Sequence, residues 1–95
     1  MAAYVVVEVE TTDEVEMARY REMARPIIES MGGRYLARGG RSRLLEGSGL
    51  PTRLVILEFD SFEQAEAWWA SDEYAEAKGL RQQCGSTRML LVAGV

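Results

Sequence analysis

The chain has 95 residues, of which 47% are hydrophobic and 27% charged, with a formal net charge of −4. These values fit one globular domain over residues 1–95 and are typical of a soluble protein rather than a disordered or membrane protein. Histidine is absent, which excludes Ser-His-Asp and Cys-His nucleophile systems, His-ligated haem and the usual His-rich metal sites. Cys84 is the single cysteine, so no internal disulfide forms, and no apolar run approaches the ~20 residues that span a bilayer. We therefore expect a cytoplasmic protein without a membrane partner, a metal or a cofactor.

Basic residues are concentrated in the middle of the chain. Residues 32–53 contain five arginines and one acidic residue, Glu46, although acidic residues outnumber basic ones by 15 to 11 overall. This basic segment either meets the acidic helices of a partner subunit, remains solvated, or receives an anionic ligand.

The first predicted elements are a strand and a long helix. Residues 4–10 alternate between two apolar-rich faces and predict a strand. Either Thr11 with Glu14 or Asp13 with Glu16 provides a capping box for the following helix, which continues to Met31 before Gly32–Gly33 end it. Pro26 is expected to kink or restart this helix.

The second half repeats the order of strand and helix. A second strand is predicted from Arg34 to Gly39, continuing toward Leu44–Glu46 and a turn-rich tip at 47–51, before a third strand over 53–59. Ser61 opens a second helix, and Ser71 provides a second cap that restarts it. The last strand covers 87–93. The order β-α-β-β-α-β predicts an α+β ferredoxin-like sandwich, a four-stranded antiparallel sheet with two helices on one face.

The strands are apolar on both faces, yet two helices cover only one face of such a sheet. The runs 5–7, 54–57 and 89–92 lack the alternation typical of a sheet with one wet face. A second copy of the chain is the simplest cover for the other face, and a small ligand could bind between the two sheets. We therefore expect a homodimer.

Two opposite charges are predicted on the face away from the helices. Phe59 precedes the second helix and is expected to pack beneath it, so Glu58 points the other way. Arg38 or Arg34 on the neighbouring strand is the available cation. Arg38 and Glu58 either form a structural ion pair or are ligand-binding groups at the dimer interface.

The further candidate ligand-binding residues are Trp68, Tyr74 and Glu46. Trp68 and Trp69 differ by about 100° around a helix, so one can lie in the core and the other at its edge or at an interface. The Tyr74 hydroxyl either reaches the ligand side of the sheet or bonds to backbone, which is the favoured interpretation. Glu46 in the basic segment is the other polar candidate.

Several motifs together resemble domain-of-unknown-function family 1330, over nearly the whole chain. They are Gly32–Gly40, Leu45–Gly47, Arg53–Phe59, and Ala65–Ser71 followed by Tyr74 and Arg81. The family is similar to members of the dimeric α/β-barrel superfamily, whose relatives include cofactor-independent oxygenases, isomerases and haem enzymes. The resemblance implies two ferredoxin-like subunits with facing sheets, and it supplies no agreed catalytic residues.

Three functions are consistent with this pattern. The first is a homodimer that binds, and could transform, a small organic or anionic molecule. The second is a non-catalytic dimeric interaction or regulatory module with a packed lumen. The third is an RNA-binding sheet, but Arg38–Ser42 lacks the aromatic residues of RNA-recognition strands and the chain is acidic. We therefore expect no nucleic-acid partner.

Overall fold

A computed structural model describes residues 1–95 of the chain. Four strands and three helices follow one another in an order that agrees with the sequence prediction, with the second helix split in two. The elements are β1 (Ala3–Thr11), α1 (Glu14–Ser30), β2 (Arg34–Arg38), β3 (Arg53–Phe59), α2 (Phe62–Trp69), α3 (Asp72–Gln83) and β4 (Gly85–Ala93).

The four strands form one antiparallel sheet in the order β2-β3-β1-β4. The two central strands are adjacent in space, and each is followed in the chain by a helical segment that packs on the same face. This is the ferredoxin-like arrangement that the element order predicts. No helix is both long enough and apolar enough to cross a bilayer.

Each helix begins at a side chain that caps free backbone amides. Asp13 accepts from the Glu16 amide, Ser61 from the Gln64 amide, and Ser71 from the Tyr74 amide. Of the two predicted caps for α1, the structure uses Asp13. Of the two outcomes expected at Pro26, a restart does not occur, because α1 continues through this residue to Ser30, and a kink stays a prediction.

The helix-facing side of the sheet holds the core. Val5, Val7 and Val9 of β1 and Leu57 and Phe59 of β3 are buried there. Their alternation along each strand follows from the two-residue period of side-chain direction. The predicted placement of Phe59 beneath the second helix is confirmed.

Four aromatic residues join the sheet to all three helices, and we call them the aromatic column. Phe59 and Trp68 stack at a centroid distance of 5.4 Å, and Trp68 lies 4.5 Å from Tyr74. Tyr74 meets Tyr20 edge-on at 6.5 Å. The column therefore fixes α1, α2 and α3 on the sheet.

A β-bulge in β2 changes the direction of one predicted site residue. Arg34 pairs with Glu58, but the register shifts between Tyr35 and Ala37, so that Arg38 pairs with Val55. Val55 lies on the helix face, whereas Glu58 lies on the open face. The expectation that Arg38 and Glu58 share a face is therefore wrong, because the extra residue reverses the alternation.

The segment between β2 and β3 also differs from the prediction. Residues 39–52 contain no strand and are largely exposed, so the predicted continuation of β2 toward Glu46 is wrong. Gly39 begins this segment at a φ of +69°, which favours glycine. A Cβ there would lie 2.3 Å from Arg53 Nη1, so glycine also makes room for that guanidinium.

The open face of the sheet has an apolar centre between two ionic pairs. Ile56, Val6 and Leu90 lie side by side across three strands. Arg34 contacts Glu58 at 3.0 Å on one side of this row, and Arg88 contacts Glu8 at 3.8 Å on the other. The predicted two-sided apolar character of the central strands is thus confirmed.

The adjacent tryptophans provide a matched test of core packing. Trp68 is 1% exposed and belongs to the aromatic column, whereas Trp69 is 46% exposed. We expect Trp68→Ala to lower the free energy of unfolding by about 3–5 kcal/mol, because it removes a large buried side chain and leaves a cavity. Trp69→Ala loses mainly a cation–π contact with Lys78 and should cost about 1 kcal/mol or less. Urea unfolding of both variants measures this difference, and equal losses would contradict the core assignment.

Candidate functional site

A cavity of about 50 Å³ lies between the sheet and the helices, and we call it the inner cavity. Its apolar lining comes from the sheet, α1 and α2, whereas α3 contributes Arg81. Four arginines also line it, and no acidic residue does. The full lining is Val7, Val9, Met17, Tyr20, Arg21, Ala24, Ile28, Tyr35, Arg38, Arg53, Val55, Leu57, Trp68, Arg81 and Met89.

Arg81 is the most unusual of these residues. It is 4% exposed and is the only charged side chain in the buried core. It forms no ion pair, its Nε has no hydrogen-bond partner, and its guanidinium carbon lies 6.0 Å from the centre of the Tyr20 ring. A buried charge without a counter-charge is destabilising, and arginine cannot escape by losing its proton. The folded chain therefore keeps an uncompensated positive charge beside the inner cavity.

Arg38 and Arg53 lie on neighbouring strands at the more exposed edge of the cavity, and we call this edge the mouth. Their side chains form no ion pair, although Arg53 Nη2 donates to the Arg38 carbonyl oxygen at 3.4 Å. The Arg38 guanidinium lies 4.8 Å from the centre of the Tyr35 ring. Burial lowers the pKa of Arg53, and the charges of Arg21 and Arg38 lower it further. An anion at the mouth would relieve this repulsion.

Arg21 is the fourth arginine and differs from the other three because it has a counter-charge. It lies on α1 and forms an ion pair with Glu14, which lies about two helical turns nearer the start of the helix. The uncompensated charges are therefore Arg38 and Arg53 at the mouth and Arg81 in the interior.

Two tyrosine hydroxyls meet beside the cavity. The Tyr20 and Tyr74 oxygens lie 2.7 Å apart, with either able to donate. Burial raises the pKa of Tyr20 far above its usual value, and Tyr74 raises it further. Burial also raises the pKa of Tyr35. The raised pKa values of Tyr20 and Tyr35 keep these two hydroxyls protonated at physiological pH, so they can act as hydrogen-bonding groups but not as bases.

The titratable groups around the cavity favour binding over acid–base catalysis. Arginine does not transfer protons in proteins, and burial disfavours ionisation of the Tyr20 and Tyr35 hydroxyls. Burial raises the pKa of the Cys84 thiol, whose Sγ contacts the Leu80 carbonyl oxygen at 3.0 Å, so it is not a reactive thiolate. The site can hold and orient an anion through charge and hydrogen bonds.

The structure separates the predicted site residues into two groups. Arg38 and Trp68 line the inner cavity, and Tyr74 reaches it through its bond to Tyr20. The expected backbone bond of the Tyr74 hydroxyl is wrong, since its partner is a side chain. Glu58 is bound to Arg34 on the open face, and Glu46 lies exposed in the 39–52 segment.

Sequence reasoning missed Arg81, Arg53 and Tyr20 as site residues. A signal for Arg81 was present, because Tyr74, Ala77 and Arg81 follow the helical spacing of the buried stripe of α3. A charged residue in such a stripe indicates either a buried ion pair or a binding site. For Arg53 and Tyr20 no comparable signal exists, since both depend on how the helices pack on the sheet.

Residues 2–95 match the family described as Domain of unknown function (DUF1330). The chain belongs to this family. The match covers all the elements that build the inner cavity and the open face, in agreement with the resemblance seen in the sequence motifs. No curated protein is similar enough in sequence to count as a relative.

Solved structures share the fold of this DUF1330 chain at low sequence identity. A protein of unknown function from Rhodopseudomonas palustris has a TM-score of 0.80 and 18% identity, over 99% of this chain and 82% of that one. A dimeric ferredoxin-like protein of unknown function from Jannaschia sp. CCS1 has a TM-score of 0.68 and 17% identity, over 99% and 100%. A candidate antibiotic biosynthesis monooxygenase from Caulobacter crescentus has a TM-score of 0.64 and 14% identity, over 99% and 90%. These likenesses show the ferredoxin-like fold.

The raised pKa of Tyr20 gives a pH-dependent stability. Below the ordinary tyrosine pKa of about 10 the hydroxyl is protonated in both folded and unfolded chains. Above it only the unfolded chain loses the proton, so this contribution to stability falls as pH rises. We expect Tyr20→Phe to lower stability by about 1 kcal/mol at pH 7 through the lost hydrogen bond, and to make the fall above pH 10 shallower. Urea unfolding between pH 7 and 11 measures both effects.

Tyr4→Phe is the control for this experiment. Tyr4 lies on the open face of the sheet, opposite Glu58 and Val92, away from the tyrosine pair. The same pH dependence in the Tyr20 and Tyr4 variants would contradict the role given to Tyr20.

Proposed function

We propose that this protein binds a small organic carboxylate in the inner cavity of each protomer of a homodimer. Arg81 is the observation that supports the proposal most strongly, because it is a buried cation with no anion in the chain to neutralise it. A carboxylate ligand would supply the missing charge and accept the hydrogen bonds that a guanidinium donates.

The shape and polarity of the cavity support a short, partly apolar ligand. About 50 Å³ exceeds the space that one water requires, roughly 10–15 Å³. The carboxylate end of a small molecule fits such a space, and the remainder extends between Arg38 and Arg53 at the mouth. Apolar side chains around these charges exclude water and strengthen the attraction.

This proposal places the ligand on the helix side of the sheet and not between the sheets, where the sequence prediction put it. The reason is the bulge in β2, which turns Arg38 toward the inner cavity and leaves Glu58 paired with Arg34. Ligand-binding candidates from the sequence are thereby divided between two faces. The open face is then available for protomer association.

A homodimer is supported by the open face and by one structural neighbour. The row of Ile56, Val6 and Leu90 presents apolar side chains that the chain itself leaves uncovered. Association of two such faces removes this surface from water. The ferredoxin-like protein from Jannaschia sp. CCS1 is described as dimeric.

The alternative function is a non-catalytic interaction or regulatory module in which the dimer itself is the functional unit. Binding in the inner cavity distinguishes the two, since a module of this kind requires no ligand. A catalytic role also begins with binding, and the Caulobacter crescentus neighbour is a candidate monooxygenase of the same fold. The ligand test therefore comes first.

Arg81→Met tests the ligand site by two opposite effects. Methionine keeps the apolar stem but removes the buried charge, so we expect the free energy of unfolding to rise by about 1 kcal/mol or more. The same variant should lose the binding of small carboxylates, measured by calorimetry and by thermal shift with acetate, pyruvate and benzoate. A structural role for Arg81 would instead make the variant less stable.

Arg88→Met is the matched control, because Arg88 is exposed on the open face beside Glu8. We expect it to bind carboxylates as the unmodified protein does. If no carboxylate in the panel raises the melting temperature of the unmodified protein, or if both variants lose binding equally, the proposal is overturned.

Ile56→Glu tests the homodimer. A carboxylate in the middle of the apolar row would have to be buried between the protomers, so we expect dissociation into species of 10.6 kDa. Light scattering at micromolar concentration measures the mass, which should be twice this value for the unmodified protein. Val15→Glu is the control on exposed α1 surface, where Val15 is 79% exposed, and it should remain dimeric. A monomeric unmodified protein would contradict the proposed assembly.

A further inference from the structure

A second concave region of about 510 Å³ lies between β4 and the α2–α3 segment, and we call it the β4 groove. It shares the wall formed by Trp68, Arg81 and Met89 with the inner cavity but is otherwise lined by different residues. The remaining lining residues are Val5, Ala65, Glu66, Trp69, Ala70, Gln82, Thr87 and Leu91. Its volume falls in the range of about 300–1,000 Å³ that is typical of small-molecule sites.

The groove has a polar end and an apolar end. Thr87, Met89 and Leu91 point into it from β4 at two-residue intervals, which spans about 13 Å at 3.3 Å per residue. Thr87 lies next to the end of α3, which contributes the polar residues Arg81 and Gln82. Leu91 pairs with Val5 at the other end. An elongated molecule with one polar end matches this gradient.

Unpartnered donors indicate which polar group fits. The Trp68 side-chain N–H, the Arg81 Nε and the Thr87 hydroxyl are buried atoms without hydrogen-bond partners, and all three residues line the groove. Trp68 is 1% and Arg81 4% exposed. Indole and guanidinium nitrogens only donate, so the group that completes them has to be an acceptor. A buried donor left unpaired is destabilising, which favours a ligand that supplies the acceptor.

We propose that the β4 groove is a second binding site, separate from the inner cavity, for an acyl chain that ends in a carboxylate or carbonyl group. The oxygen atoms lie at the polar end near Gln82 and Thr87, because the Arg81 guanidinium on the shared wall is assigned to the ligand of the inner cavity, and the acyl chain lies along Met89 and Leu91. The two tryptophans of the protein both line this site. Occupancy therefore changes the intrinsic fluorescence of the protein.

Calorimetric titration with straight-chain carboxylates from butanoate to decanoate tests the groove. Each methylene buried along β4 should raise the affinity about fourfold, since burial of one methylene contributes about 0.8 kcal/mol. Decylammonium has the same chain as decanoate but a donor at its end, so it should bind at least tenfold more weakly. Affinity that does not depend on chain length, or equal binding of the two decyl compounds, overturns the proposal.

Substitutions at the end of α2 and within it show where decanoate binds. Ala70→Phe places a ring in the groove and should weaken decanoate binding at least tenfold. Ala67→Phe is the matched control, because Ala67 is exposed on the same helix and lines neither the groove nor the inner cavity. Equal affinity of the two variants for decanoate overturns the proposal. The proposal is also overturned if Ala70→Phe changes protomer association but not decanoate binding, because the groove would then be a contact between copies of the chain.

Arg53→Met separates this inference from the proposed function. Arg53 lines the mouth of the inner cavity and does not line the groove. We expect the variant to bind decanoate with unchanged affinity while its binding of acetate or benzoate weakens. Loss of decanoate binding in this variant would show that the acyl chain binds in the inner cavity. The proposal of a separate site in the groove would then be overturned.

Discussion

Packing of the aromatic column between the sheet and the helices is the interaction on which both binding regions depend. Phe59 of β3, Trp68 of α2, Tyr74 of α3 and Tyr20 of α1 contact one another in sequence. Two of these rings, Tyr20 and Trp68, line the inner cavity, and Trp68 also lines the β4 groove. They also keep α3 in the orientation that directs Arg81 inward. The stability gained from aromatic burial offsets the destabilising effect of the unpaired guanidinium.

The two faces of the sheet differ in their charged and apolar residues. On the helix face, buried apolar side chains form the core. Arginines line the inner cavity on the same face. On the open face, an apolar row lies between two ionic pairs, a pattern that suits contact with an identical face. Because unpaired arginines lie on the helix face and paired charges on the open face, the proposed recognition of an anion and the proposed association of protomers would use different residues.

Local rules predicted most of the fold. The caps at Asp13, Ser61 and Ser71, the two-sided strands and the position of Phe59 all follow from backbone chemistry and from the side-chain period. The inner cavity could not be found in this way. Its location depends on a β-bulge that the residues of β2 do not predict. It also depends on the tertiary packing that brings Tyr20 of α1 into contact with Tyr74 of α3. Only Arg81, by its place in the stripe of α3, carried a local sign of the site.

The single extra residue in β2 makes one edge strand serve both surfaces of the sheet. Arg34 before the bulge contacts Glu58 on the open face, and Arg38 after it lines the mouth of the inner cavity. Four positions along β2 thus connect the face proposed for protomer association to the face proposed for anion binding. If the proposed association of protomers changed the twist of β2, the Arg38 guanidinium would move with it, and this strand would couple the proposed assembly to the proposed binding of an anion.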